Sequence, residues 1–223
     1  MSNETVFKKN MDFVLCIDAT GSMVMPIEAL KDNLFKWRDK VCDEFYRQYD
    51  LGIGEIRFKI IAFRDYASDQ EPMQESRFFV MGREDEELKR FVNGLTAEGG
   101  GDRPENALEA LALAAKSDWL DDMLRYHVVM MLTDAPALEF GARKDCNNYP
   151  SDMPKNMKEF EELWRSSVPH SSRRLIVFAP EHESWDELRE IDSCACMFWP
   201  SKQKEWPELI TPEFIVKLIR ADF

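Results

Sequence analysis

No apolar stretch in the sequence approaches the ~18 residues that a membrane span requires. The opening Met-Ser-Asn-Glu lacks a basic segment followed by an apolar core. Neither a membrane anchor nor a secretory signal is therefore expected. Basic residues are the minority, 29 Lys and Arg against 42 Asp and Glu, for a formal charge of −13. Nucleic-acid surfaces are basic, so that partner class is set aside, whereas soluble or cationic partners fit. Much of the acid lies in helical stretches such as 84–87 and 159–162, where it reads as a solvated face. The five cysteines are an odd number without the spacing of a disulfide framework or a zinc site. Cys16 and Cys42 fall in apolar and helical patterns. Cys194 and Cys196 alternate along a predicted strand and would face opposite ways. A reducing, cytoplasmic location is the expectation.

Catalytic signatures are missing as well. His127, His170 and His182 have no Asp or Cys partner visible in the sequence, and Ser22 lacks the Gly-x-Ser-x-Gly elbow. There is no His-Glu-x-x-His, no phosphate-binding Gly-x-x-x-x-Gly-Lys, and no dinucleotide fingerprint after the first strand.

What is present begins at Met11–Ser22, Met-Asp-Phe-Val-Leu-Cys-Ile-Asp-Ala-Thr-Gly-Ser. This apolar run ends abruptly in Asp18, Thr20 and Ser22. Spaced by two, these residues face one way if the chain stays extended. A carboxylate and two hydroxyls suit a hard divalent cation such as Mg²⁺. The competing reading is a polar turn that caps the next helix.

Further on, strand and helix signals alternate. Strands are predicted over 12–17, 55–62, 126–133, 174–179 and 195–199, with a short hairpin partner over 78–81. Helices are predicted over 25–48, 84–93, 104–116, 154–166, 185–191 and 212–221, and 138–154 reads as a loop. Leu30, Leu34, Trp37, Val41 and Phe45 carry the apolar stripe of the first helix, and Pro104 marks the first turn of another. Trp199, Trp206 and Phe214 are expected to pack the last helix. Residues 1–223 read as one α/β domain, a mainly parallel sheet covered on both faces. In such sheets, sites form beyond the carboxyl ends of the strands. Asp18, Asp65 and Asp134 all fall at strand exits, and Gly99-Gly100-Gly101 leads into Asp102.

Asp18-Ala-Thr20-Gly-Ser22, the glycine loop and Leu132-Thr133-Asp134-Ala135, in this order, resemble a von Willebrand factor A (VWA) domain with a metal-ion-dependent adhesion site. The form with Gly-Gly-Gly-Asp-x-Pro-Glu is similar to that of a mostly intracellular subset. The resemblance implies a three-layer Rossmann-like fold, its mostly parallel sheet carrying one antiparallel edge strand, and a Mg²⁺ site that Mn²⁺ or Ca²⁺ could also fill. The ligands it implies are Asp18, Thr20, Ser22, Asp134 and, where the family has Thr, Asp102. Three carboxylates around a dication would hold it more tightly and attract a partner's carboxylate less. Asp102 as a cap on the following helix is the alternative. Asp65 has no counterpart in the family motif. It could orient a metal-bound water or a ligating hydroxyl, or serve a salt bridge or turn. Arg103 and Glu105 flank the loop and could shape a partner surface; the favoured reading is that they are exposed first-turn residues.

The implied function is non-catalytic: an ion at the strand ends docks an acidic residue of a partner protein, in a signalling or assembly complex. One alternative is a Mg²⁺-dependent phosphohydrolase, which also uses an Asp at the end of its first strand. Its general acid two residues on is replaced here by Thr20. The other is a scaffold in which the metal is purely structural.

Overall fold

The first apolar run becomes the buried central strand β1 (Lys8–Asp18). The computed structural model describes residues 7–101, 103–191 and 196–221. Phe13, Leu15 and Ile17 face one layer, while Val14 and Cys16 face the other, so β1 needs apolar side chains on both sides. It is paired in parallel with β2 (Gly52–Phe63) and β5 (Arg125–Leu132). Two further parallel strands, β6 (Arg173–Ala179) and β7 (Cys196–Pro200), extend the sheet beyond β5.

On the far side of β2, β3 (Met73–Glu75) and β4 (Phe79–Val80) pair with it antiparallel, end to end, as one broken edge strand. The order is β3-β2-β1-β5-β6-β7, with β4 also on β2. The anticipated α/β architecture is thus the one observed. β3 was not anticipated: Met-Gln-Glu has no strand pattern, and only pairing with β2 makes it one.

Helices α1 (Val24–Tyr49), α2 (Asp85–Gly94) and α7 (Pro212–Arg220) cover the Phe13 face. The other face is covered by α3 (Ala107–Ala115), α4 (Met157–Ser167) and α5 (Asp186–Arg189). α4 starts where Asn156 caps it, its side chain accepting from Glu159 N at 2.9 Å. The segment 138–154 forms turns, as expected, pinned by buried Phe140 and Met153. After β7 comes a short helix with no forewarning in the pattern, α6 (Trp206–Leu209). Trp206 is buried, but Trp199 is 36% exposed and stacks edge-on against Phe214. Among the described residues no helix is long and apolar enough to cross a membrane.

The helix expected from Pro104 starts only at Ala107. Residues 103–106 are instead drawn into a parallel bridge between Glu105 and Ala137. Glu105 N donates to Pro136 O at 3.0 Å, and Leu138 N donates to Glu105 O at 2.8 Å. Glu105 is therefore not an exposed first-turn residue; its exposure is 3%.

At the amino-terminal end of the strands, Asp12 accepts from Arg57 Nε at 2.8 Å, Arg125 Nη1 at 2.7 Å and Leu120 N at 3.2 Å. His127 beside it is buried, its ring nitrogens 2.9 Å from Ser171 O and 2.8 Å from Leu120 O. This end is a buried polar network in which Arg125 Nε alone of these groups lacks a hydrogen-bond partner among the described residues. The open chemistry lies at the other end.

Candidate functional site

Register brings the strand exits together. Asp18 lies opposite Phe63 of β2, and Ile17 opposite Leu132 of β5. The residues that follow, 18–22, 64–69 and 133–135, therefore gather at one edge of the sheet, where its order reverses.

Asp18 is fully buried and accepts three hydrogen bonds. Its Oδ1 receives Thr20 N at 2.9 Å and Thr20 Oγ1 at 2.7 Å, and its Oδ2 receives Thr133 Oγ1 at 2.7 Å. Ser22 Oγ lies 3.3 Å from Thr20 Oγ1 and donates to Asp134 Oδ1 at 2.9 Å. Burial raises the Asp18 carboxyl above the ordinary carboxylate range; the Thr20 and Thr133 hydrogen bonds oppose this, and the Asp134 charge adds to it. Four of the five expected ligands, Asp18, Thr20, Ser22 and Asp134, are thus brought into one chain of contacts. The fifth, Asp102, lies outside the described residues.

The donor set fits a hard cation. The Thr20 hydroxyl hydrogen is directed to Asp18 and that of Ser22 to Asp134, which leaves hydroxyl lone pairs for a positive ion. Adjacent corners of an octahedron with arms of ~2.1 Å lie about 3.0 Å apart. The 3.3 Å and 2.9 Å separations across Thr20, Ser22 and Asp134 are close to that spacing. Among the described residues, no three His, Cys, Asp or Glu side chains group as ligands. Hydroxyls would carry a large part of the coordination.

Asp65 is brought to the same edge but is otherwise engaged. Its two oxygens receive Arg143 Nε at 2.8 Å and Nη2 at 2.7 Å, and Ala67 N donates to Oδ1 at 3.0 Å. It makes both a salt bridge and a turn. Asp69, one turn on, accepts from Gly100 N at 3.2 Å. Gly99 and Gly100 have φ of 68° and 74°, and a Cβ on Gly99 would collide with the Asp69 carboxylate. Glycine is needed here for both conformation and approach.

Sequence reasoning missed four other participants. Thr133 was visible only as a hydroxyl beside Asp134; the pairing of β1 with β5 is what aims it at Asp18. Arg64 is buried and ties three loops together. It donates to Ala19 O at 3.1 Å, Glu71 O at 3.0 Å and Thr96 O at 2.7 Å. Gln203, remote in sequence, donates to Asp134 Oδ2 at 2.8 Å and Ser22 O at 2.9 Å. Glu105 is pushed up to about 8 by burial and by the charges of Asp18, Asp65 and Asp69, with Arg103 opposing. Arg103 itself is 59% exposed at the side chain and meets Asp134 Oδ2 at 3.1 Å.

Behind the glycine loop, buried Glu109 accepts from Tyr149 OH at 2.9 Å while its Oε2 lacks a partner among the described residues. Burial raises its carboxyl above 4.5. The folded protein thus keeps a proton that the unfolded chain releases. The associated stability is complete below about 4.5 and is lost as pH climbs towards the folded value. Glu109→Gln is expected to flatten this decline, which melting temperatures at pH 4.5–8 would read. An unchanged slope would rule Glu109 out as its source.

No protein-family model matches the chain. It is 29% identical over 150 residues to a Dictyostelium discoideum protein named alpha-protein kinase vwkA, a match spanning 66% of this chain and 22% of that one. In fold it is similar to a von Willebrand factor type A protein from Catenulispora acidiphila, with a TM-score of 0.56 and 17% identity. That likeness covers 95% of this chain and 43% of the other. Proximal thread matrix protein 1 from the mussel byssus gives a TM-score of 0.54 at 12% identity, over 95% and 46% of the two chains. At such identities the likeness is one of fold: the chain has the VWA-like Rossmann architecture.

Proposed function

We propose that this chain is a VWA-like protein-binding module that holds a divalent cation, Mg²⁺ before Mn²⁺ or Ca²⁺, at the ends of β1 and β5. The observation that carries the reading is the contact chain Asp18–Thr20–Ser22–Asp134, two carboxylates and two hydroxyls meeting at the sheet's switch point. Thr20 and Ser22 would bind the ion directly. Asp18 and Asp134 would bind it directly or through water, with Asp102 as a further ligand. The ion would then present an open position to a Glu or Asp of a partner protein. The exposed Arg103 at the rim favours the same acidic group. A VWA-like fold is in keeping with a protein-interaction role.

The reading is non-catalytic, and it places the module in an intracellular signalling or assembly complex in the cytoplasm. In a phosphohydrolase the position two residues after the nucleophilic Asp supplies a proton; here the Thr20 hydroxyl is directed to Asp18 itself. The kinase in the Dictyostelium relative's name belongs to that protein, of which the matched segment is 22%.

The test is an array of acidic peptides and their alanine-scanned versions, probed with the chain in Mg²⁺ and in EDTA. A docking ion predicts binding that chelation and Asp18→Ala both abolish. Peptide binding untouched by EDTA would reject docking through the ion. If EDTA alters only the melting temperature, the metal is structural.

A further inference from the structure

α1 opens without an acid in its first turn and instead exposes Met25, 76% accessible, just past Ser22 in the chain. A lone apolar side chain in water needs no explanation. Met25, however, is the near end of a groove. Between α1 and residues 203–213 runs an opening of about 1040 Å³, far larger than the water-sized voids of ordinary packing. Its half nearest the candidate site is walled by Met25, Pro26, Ala29 and Leu30 on one side and by Pro207 and Ile210 on the other. Among the described residues, the charged side chain lining that half is the exposed Lys204. Lys36, Lys40, Asp43, Glu44 and Glu213 line the other end, beyond Leu34. At 1.5 Å per residue, the α1 wall from Met25 to Leu34 is ~14 Å long.

The groove and the candidate site share a residue. Gln203 lines the groove, and its Nε2 donates to Ser22 O at 2.9 Å and to Asp134 Oδ2 at 2.8 Å. A partner chain whose acid reaches an ion beside Ser22 and Asp134 therefore passes straight onto the apolar wall. Charge agrees with such a partner. In a chain of net −13, the basic Arg103 stands at the site's rim and the basic Lys204 in the adjoining groove.

Resting on the ion-docking reading above, we propose that the partner is an acidic segment with apolar residues on one side of the docking acid, seated between α1 and residues 207–210. The ion fixes the acid, and the groove selects what flanks it. Flexible Met25 adapts to apolar side chains of different shape. Lys204 disfavours Lys or Arg in the flank and tolerates further acids. The two contacts together give direction, because the groove leaves the site on one side.

The experiment is selection of a displayed peptide library, one fixed Glu among randomised positions, on the chain in MgCl₂. Selected peptides are then titrated against wild type, Met25→Ser and Ala29→Gln in MgCl₂ and in EDTA. Both positions are exposed on α1, so neither change strips the core. Calorimetric titration of each variant with MgCl₂ separates loss of the groove from loss of the ion. The expected result is enrichment of Leu, Ile, Met or Phe on one side of the Glu and depletion of Lys and Arg there. Peptide affinity should fall by about tenfold in either variant, the scale of one lost apolar anchor. Peptides without the one-sided pattern, or bound equally by both variants, would overturn the proposal and leave ion docking standing. A peptide loss matched by an equal loss of Mg²⁺ affinity would also overturn it, since Met25 and Ala29 would then be serving the ion. One-sided apolar peptides held as tightly in EDTA would reject the joint site, because the groove would act without the ion. If the chain in MgCl₂ selected no peptide, the docking reading would fail and the role of the groove would fall with it.

Discussion

Asp12→Ala is expected to destabilise the fold by about 3–5 kcal/mol, the usual cost of stripping one partner from a buried ion pair. Asp12 is fully buried, and it neutralises two guanidinium groups, Arg57 and Arg125, that are themselves almost entirely enclosed. Arg57 keeps Asp118 O, at 2.9 Å, and the Phe78 ring face, and Arg125 keeps the Glu55 carboxylate at 3.2 Å and that of Asp122 at 3.9 Å. Arg57 would then face a low-dielectric interior without a carboxylate among its described partners, while Arg125 would lean on Glu55 and Asp122 alone. Urea unfolding reads the change as a lower midpoint at constant slope. A loss under about 1 kcal/mol would show that water or side-chain movement relieves the network, in the manner of exposed pairs. In a double-mutant cycle with Arg57→Leu, the two losses should fall well short of adding. Because Asp12 lies at the strand ends opposite Asp18, cation affinity should be unaffected.

The second large effect belongs to Asp18. Asp18→Ala is expected to reduce cation affinity by on the order of 100-fold or more, above the range for groups that only orient ligands. On the proposed cation reading, Mg²⁺ at a hundred times Kd should stabilise wild type by about 2.7 kcal/mol, and Asp18→Ala should lose that gain. The change removes the acceptor of Thr20 N, Thr20 Oγ1 and Thr133 Oγ1 together, so the hydroxyls lose their orientation along with the charge. Asp18→Asn, of the same shape, separates the two contributions. It keeps an acceptor for the hydroxyls and lacks the charge, so it should retain stability and still lose the cation response. If Asp18→Asn answered Mg²⁺ as wild type does, the site would not be a metal centre. Burial raises the Asp18 carboxyl in the cation-free protein, so part of the cost of the substitution is offset by relief of desolvation.

The strands and long helices were legible because burial imposes period. Of the α1 stripe Leu30, Leu34, Trp37, Val41 and Phe45, the second, fourth and fifth are buried together with Ile27, while Leu30 and Trp37 pack half-buried against the same core. β1 and β5 read as near-continuous apolar runs because both of their faces are covered. Elements without such a face were not legible. β3 exists by virtue of its partner, and α6 spans only Trp206–Leu209. The beginning of α3 was misplaced because Pro104 is an ordinary helix opener, yet the backbone of Glu105 pairs with residues 136–138 instead. Local propensity yielded to a tertiary hydrogen bond.

At the site, the chain by itself specified the chemical types: an acid and two hydroxyls at one strand exit, another acid at a second, and glycines in the loop between. These are consequences of composition and spacing, and they survive translation into three dimensions because strands in register end level with one another. What the tertiary structure decided is which of these groups have partners. It gave Asp65 to Arg143, aimed Thr133 at Asp18, brought Gln203 across the sheet to Asp134, and buried Glu105 with an oxygen unmatched among the described residues. Charge satisfaction depends on residues far apart in the chain, and a one-dimensional pattern carries no record of who meets whom.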